Sequence, residues 1–255
     1  MKLHVPLLAA FGLLAPLSFT ANAAELTLDE VLAKHYEARG GLDKIRAVNS
    51  VRSSGDFAMG AVQGPFQIET VRPGKMRLEF TVQGMTAVQA IDGDAGWQVM
   101  PFMGKTDAEP MTEEELRSFK NQADIDGPLV DWQQKGHKVE LLGTEEVEGA
   151  DAYKLKINLK SGDEILAYLD SEYFLDLKSD VTTTMRGQPI KIATSYGDYK
   201  EVDGLMLPHV LTQTMEGMPG GQTFTMKTYE VNVPVAADRF TMPAKAPAAA
   251  APAAE

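Results

Sequence analysis

No cysteine occurs among the 255 residues. This excludes a disulfide framework, thiol catalysis and a lipobox cysteine on which an acyl anchor could be built. Basic residues are also scarce: 24 Lys and Arg stand against 36 Asp and Glu, a formal charge of −12, with the acidic residues spread along the chain. Nucleic acid is therefore not an expected partner, and contact with an anionic membrane should be transient at most, since both need clustered cations. No G-x-S-x-G elbow, H-E-x-x-H pair or glycine-rich phosphate loop is present, and His35, His137 and His209 stand apart in the chain. Neither a catalytic residue nor a metal or cofactor site is expected, and the chain does not read as an enzyme.

A hydrophobic run long enough to span a bilayer is missing too. The apolar stretch at residues 7–17 is short and interrupted by Pro16; with Lys2 ahead of it and Ala21-Asn22-Ala23 behind, it reads as a signal peptide. Cleavage after Ala23 would deliver the chain to a periplasm. Residues 244–255 are an Ala and Pro tail with too little apolar bulk to fold. Residues 24–243 remain as a single domain.

The chain is organised around residues 64–102. Phe66 and Ile68 alternate with Gln67 and Glu69, and after Pro73-Gly74 the rhythm returns as Met76, Leu78 and Phe80 against Arg77, Glu79 and Thr81. A period of two with one apolar face is the mark of an antiparallel strand. A further run ends at Asp92-Gly93-Asp94, a strong turn signal, and the next comes back with Trp97 and Val99 on one face and Gln98 on the other.

Helical signals are few. Thr27 and Glu30 have the spacing of a capping box before a stripe of Leu28, Val31, Leu32, His35 and Tyr36, which Gly40-Gly41 ends. Thr112 and Glu115 repeat the box ahead of Leu116 and Phe119, and a second short helix is expected at 129–135 with Leu129 and Trp132. From residue 139 to 231 strands resume in series, with 173–180 and 181–186 read as separate ones, for roughly a dozen strands in all. So many strands in one series imply a strongly curved antiparallel sheet, mainly β, forming a half-open barrel.

The apolar rows outnumber the helices available to cover them. Phe66, Ile68, Met76, Leu78, Phe80, Trp97, Val99, Leu155, Ile157, Ile192, Leu211, Met215, Phe224 and Met226 are expected to line a cavity. The 112–135 region, carrying Leu116, Phe119, Leu129 and Trp132, is its expected lid. Such a trough suits acyl chains, at roughly 0.8 kcal/mol per buried methylene. Thirteen methionines are consistent with a wall that adapts to variable aliphatic ligands.

Arg72-Pro73, Met76-Arg77-Leu78-Glu79, Asp92-Gly93, and Trp97 with Pro101-Phe102 resemble the central pattern of the periplasmic lipoprotein carriers of the LolA family. The ending Asp238-Arg239-Phe240-Thr241-Met242-Pro243 is similar to that family's closing strand. The resemblance implies a monomeric half-barrel with a helical lid. Such a carrier accepts acylated lipoprotein or lipid cargo from an inner-membrane release complex and passes it to an outer-membrane acceptor. It also implies that Arg72 bonds to lid backbone and latches the empty cavity. The resemblance leaves room for an alternative, an envelope-stress sensor of the same fold that regulates a protein partner.

Overall fold

The computed structural model describes residues 26–185, 187–217 and 220–244; the leader expected at 1–23 and, apart from Ala244, the expected tail lie outside them. Two helices come first, α1 (Leu28–Ala38) and α2 (Leu42–Ala47). Thr27 and Glu30 form the reciprocal capping box at the start of α1, satisfying backbone donors that the first turn leaves open. Gly40, with φ of 112°, then turns the chain against the 203–204 corner, where an added Cβ would lie 2.2 Å from the Gly204 carbonyl oxygen. Only glycine fits there.

Six strands follow as a meander: β1 (Ser50–Met59), β2 (Val62–Val71), β3 (Lys75–Val82), β4 (Met85–Asp92), β5 (Ala95–Met100) and β6 (Lys105–Pro110). Then come α3 (Glu113–Gln122), an irregular segment at 123–137, and seven more strands. These are β7 (Lys138–Val147), β8 (Ala150–Asn158), β9 (Glu164–Asp170), β10 (Asp176–Met185), β11 (Gln188–Val202), β12 (Leu205–Met215) and β13 (Gly221–Val231). All thirteen form one antiparallel sheet in the order β6-β5-β4-β3-β2-β1-β13-β12-β11-β10-β9-β8-β7. The two meanders join where β1 pairs with β13. β6 and β7 are its free edges, so the sheet is a half-open barrel, and α3 with 123–137 carries the chain from one free edge to the other.

Helices and the 123–137 segment lie on one face of the sheet, the concave one. Val31 and Leu32 of α1 pack with Leu155, Ile157, Ala167 and Leu169 of β8 and β9. Ile45 of α2 packs with Val130 and Leu205. Phe119 and Ala123 pack on Met76 and Ile91 of β3 and β4. Each helix hides one apolar stripe on a different part of the sheet.

Several expectations need correction. The helix expected at 129–135 does not form: the segment is a run of turns, with Asp131 at φ of 53°. It is confined between Gly127-Pro128 and Gly136, too short a stretch for helix nucleation to be recovered. The two strands expected at 173–180 and 181–186 are one strand, β10. Asp180, the expected end of the first of them, is buried mid-strand between the ammonium groups of Lys178 (3.1 Å) and Lys191 (3.0 Å). Burial works against its charge, but the bonds from these lysines prevail and hold the carboxyl below the usual aspartate range. The ending expected to be a strand is instead a 3-10 turn, Ala237–Phe240, on the convex face.

Candidate ligand-binding cavity

Between the sheet and its cover lies a cavity of about 450 Å³, within the range of small-molecule sites. Its floor is built by β8 to β12. Cross-strand partners share a face, and the register sets Ile165, Val181 and Ile192 side by side across β9, β10 and β11, with Ile157 and Leu211 flanking them. Leu129 of the irregular segment and Ser118, Asn121 and Gln122 of α3 close it from the other side.

The walls are less apolar than the sequence suggested. The neighbouring row is Ala167, Ser179, Thr194 and Gln213, and towards the start of β10 the lining includes His35, Arg39, Asp176, Tyr196 and Tyr199. Nδ1 of His35 lies 2.8 Å from the Phe174 carbonyl oxygen. A carbonyl only accepts, so Nδ1 carries the hydrogen and Nε2 is the atom an added proton would take. Burial pushes the His35 pKa down, against the opposing pull of Asp176. Burial pushes the Tyr196 phenol up to about 12; that of Tyr199, which donates to the Asp176 carbonyl at 2.9 Å, is raised further by the same cause. These phenols stay neutral, and that of Tyr196 shares a hydrogen bond of 2.9 Å with the Ser179 hydroxyl. His35 was legible as part of the α1 apolar stripe, but its place at the cavity depends on β10 and β11, which no local pattern announces.

The expected cavity residues separate into five groups. Ile157, Ile192 and Leu211 line the cavity. Leu155 is on the same face but lies under α1, and Met76 and Leu78 lie under α3. Phe66, Phe80, Phe224 and Met226 pack with Phe57 as a second apolar cluster, which Ile68 and Leu211 join. Met215, half-buried, stands opposite Ile192 at the far end of β12.

Trp97 and Val99 require correction, because the register places them on the convex face. Trp97 stands opposite Ala90, Ala90 opposite Arg77, and Arg77 opposite Glu69, whereas Gly96 and Gln98 face inward. The indole N–H of Trp97 donates to the Phe240 carbonyl at 2.8 Å, and the Arg77 guanidinium lies over its ring. Beside it, buried Glu69 accepts from Arg52 at 2.9 Å and from Arg239 at 2.8 Å. The 237–240 turn is thus fastened outside the half-barrel, where it covers Trp97 beside this ion network. On the inner side Gln98 donates to Glu115 at 3.0 Å, tying α3 to β5.

The cover consists of two differently held parts. The 123–137 segment is bolted down: Tyr36 donates to the Leu129 carbonyl at 2.7 Å, Arg39 to the Asp126 carbonyl at 2.9 Å, and Arg46 pairs with Asp131 at 2.6 Å. Arg72 pairs with both carboxylate oxygens of Asp126 and donates to the Val48 and Ile45 carbonyls at 2.5 and 3.3 Å. Arg72, expected to bond to lid backbone, meets a side chain of the segment instead, and Arg39 is the arginine that takes its backbone. Of the expected lid residues, Leu129 closes the cavity and Trp132 flanks the outer groove between α1 and the segment. Leu116 and Phe119 pack α3 onto β3 and β4.

A half-open antiparallel barrel with a helical cover over a cavity defines the LolA-like class of fold. The structure is similar to that of a LolA superfamily protein from Nitrosomonas europaea, with a TM-score of 0.57 and 13% identity over 85% of this chain and 98% of that one. It is also similar to a DUF1329 family protein from Desulfovibrio piger (TM-score 0.55, 11% identity, 81% and 95% covered). A third likeness is to a domain from Vibrio parahaemolyticus named for outer membrane lipoprotein sorting (TM-score 0.54, 12% identity, 82% and 94% covered). No family model matches the sequence, and no curated protein matches it. At these identities the likeness is one of fold.

Proposed function

We propose that this protein is a periplasmic carrier that shelters an acyl chain of a lipoprotein or another lipid between its sheet and its helices and moves it toward the outer membrane. The observation that carries this reading is the cavity of about 450 Å³ that the protein's own side chains leave open over Ile157, Ile165, Val181, Ile192 and Leu211. Each methylene sheltered there would contribute roughly 0.8 kcal/mol. The fold shared with a domain named for lipoprotein sorting supports the reading. An inner-membrane release complex and an outer-membrane acceptor are the partners such a carrier needs, and it works as a monomer, without catalysis.

Within the cover α3 is the part suited to move. It is held to the sheet and its turns by mostly exposed side-chain bonds, from Lys120 to Asp94, Asn121 to Ser161 and Asp163, Arg117 to the Thr184 carbonyl, Gly187 N–H to Glu114 and Gln98 to Glu115, and by one apolar cluster. The 123–137 segment is locked to α1, α2 and Arg72. Purification from the native host followed by lipid mass spectrometry tests the proposal. Recovery of acyl-bearing molecules in stoichiometric amount is expected; repeated recovery of an empty cavity that excludes apolar dyes would end it.

A further inference from the structure

In an antiparallel meander successive turns fall at alternate ends of the sheet, and here the two ends differ in chemistry. One end carries Asp92-Gly93-Asp94, Glu148-Gly149, Asp170 with Glu172, and Asp203-Gly204. At the other, the β1–β2, β3–β4 and β5–β6 turns read Gly60-Ala61, Gln83-Gly84 and Pro101-Phe102-Met103-Gly104, with no charge among them, whereas the β8–β9 turn at the same end carries Lys160 and Asp163, and Glu216 follows β12 there. The side chains at these tips are apolar and exposed: Met59 at 45%, Met85 at 37%, Phe102 at 37% and Met103 at 64%.

We propose that these three uncharged hairpin tips seat the protein on a lipid bilayer, with Met59, Met85, Phe102 and Met103 entering the headgroup region. Adjacent hairpins are two strand spacings apart, about 10 Å, so the tips are separate points and not a continuous face. Separate, flexible methionine tips suit a fluid layer better than the fitted surface of a protein. Charge supports the same orientation. Acidic turns crowd the opposite end, so an anionic bilayer repels that end and leaves the three uncharged tips to approach it. Lys105, directly after the β5–β6 tip, is exposed and pairs with Glu109 at 2.9 Å, so a headgroup phosphate would have to replace that carboxylate as its partner.

The tips also connect inward. Phe102 packs against Phe80 with ring centres 5.6 Å apart, and Phe80 against Phe57 at 5.7 Å. Phe80 and Phe57 belong to the cluster that includes Leu211, which lines the cavity. An apolar series thus runs from the tips to the cavity, and the use of the contact, though not its existence, rests on the carrier reading.

The lack of native cysteine makes the test direct. An environment-sensitive dye on Met103→Cys should shift to the blue when vesicles of phosphatidylethanolamine and phosphatidylglycerol are added, and the same dye on Glu172→Cys at the opposite end should not. The variant Met59→Gln, Met85→Gln, Met103→Gln, altered only at exposed tips, should keep its melting temperature and lose about tenfold in vesicle affinity, since interfacial binding follows the apolar area inserted. No shift at residue 103, equal shifts at both positions, or unchanged affinity of the variant would overturn the proposal. A shift that follows protein concentration without vesicles would overturn it in favour of self-association. Lipid recovered from the cavity of a protein that ignores vesicles would defeat this inference alone; an empty cavity in a protein that binds them would defeat the carrier reading alone.

Discussion

Arg72 and Asp126, 54 positions apart in the chain, meet in a two-armed ion pair between the β2–β3 turn and the 123–137 segment. The partners are unequally buried, with the Asp126 side chain 6% exposed and that of Arg72 31%. Losing the arginine strands a buried carboxylate, whereas losing the carboxylate leaves a cation that can reach water. Arg72→Leu should therefore cost about 3 kcal/mol, the low end of what breaking a buried pair costs. Asp126→Asn should cost about 1 kcal/mol, as for an ordinary hydrogen bond. Urea denaturation of both variants checks the asymmetry, and equal losses would contradict it.

Cargo handling should respond to the same pair. If the pair holds the segment shut against the sheet, Asp126→Asn should raise hydrogen exchange at 125–135 and leave β8 and β9 protected. Uniform loosening of the whole chain would point to a purely structural bond.

His35 makes stability depend on pH. Its folded pKa lies below its ordinary value because it is buried, so below about 6.5 the unfolded chain takes up the proton more readily than the folded one. Stability should be full above that pH and fall as the pH drops through 6.5 towards the folded pKa. Denaturation midpoints at pH 7.5 and 5.5 should differ less in His35→Leu than in the parent, and an unchanged difference would remove His35 as the cause.

Filling the cavity separates binding from folding. Ile192→Trp places a large ring between Val181 and Met215, its neighbours on the adjoining strands. Bound lipid should fall several-fold while the melting temperature stays within a few degrees, because the ring enters space already empty. Undiminished lipid in a folded variant would show that cargo lies elsewhere.

Gly40→Ala should destabilise by well over 1 kcal/mol, since the new methyl group would meet the Gly204 carbonyl oxygen and φ is positive there. Thermal unfolding would measure it. A neutral result would mean that the α1 corner shifts freely.

Much of the architecture was legible because alternation is a local signal. Phe66, Ile68, Met76, Leu78 and Phe80 announce β2, β3 and their common face, and the capping boxes at Thr27 and Thr112 mark the starts of α1 and α3. Trp97 misled because a large apolar residue predicts burial but not which face supplies it. The cover over Trp97 comes from Phe240, 143 positions away, and Gln98 could face inward only because α3 brings Glu115 to meet it. The cavity's polar lining was illegible for the same reason: Tyr196, Tyr199, Asp176 and His35 converge through sheet register and α1 packing, not through spacing. Arg72 was found through resemblance, whereas its partner Asp126 sits in a stretch whose turn structure no periodicity describes.

The seam between β1 and β13 has a consequence for how the molecule comes into being. Val51 sits opposite Val231 and Met59 opposite Gln222, so the first strand made gains its second neighbour only from the last strand of the sheet to be synthesised. Pairings between such remote segments form slowly. Until they form, the early meander presents a bare sheet edge along β1, the kind of edge on which stray strands aggregate. A nascent copy therefore stays vulnerable along that edge until β13 has emerged.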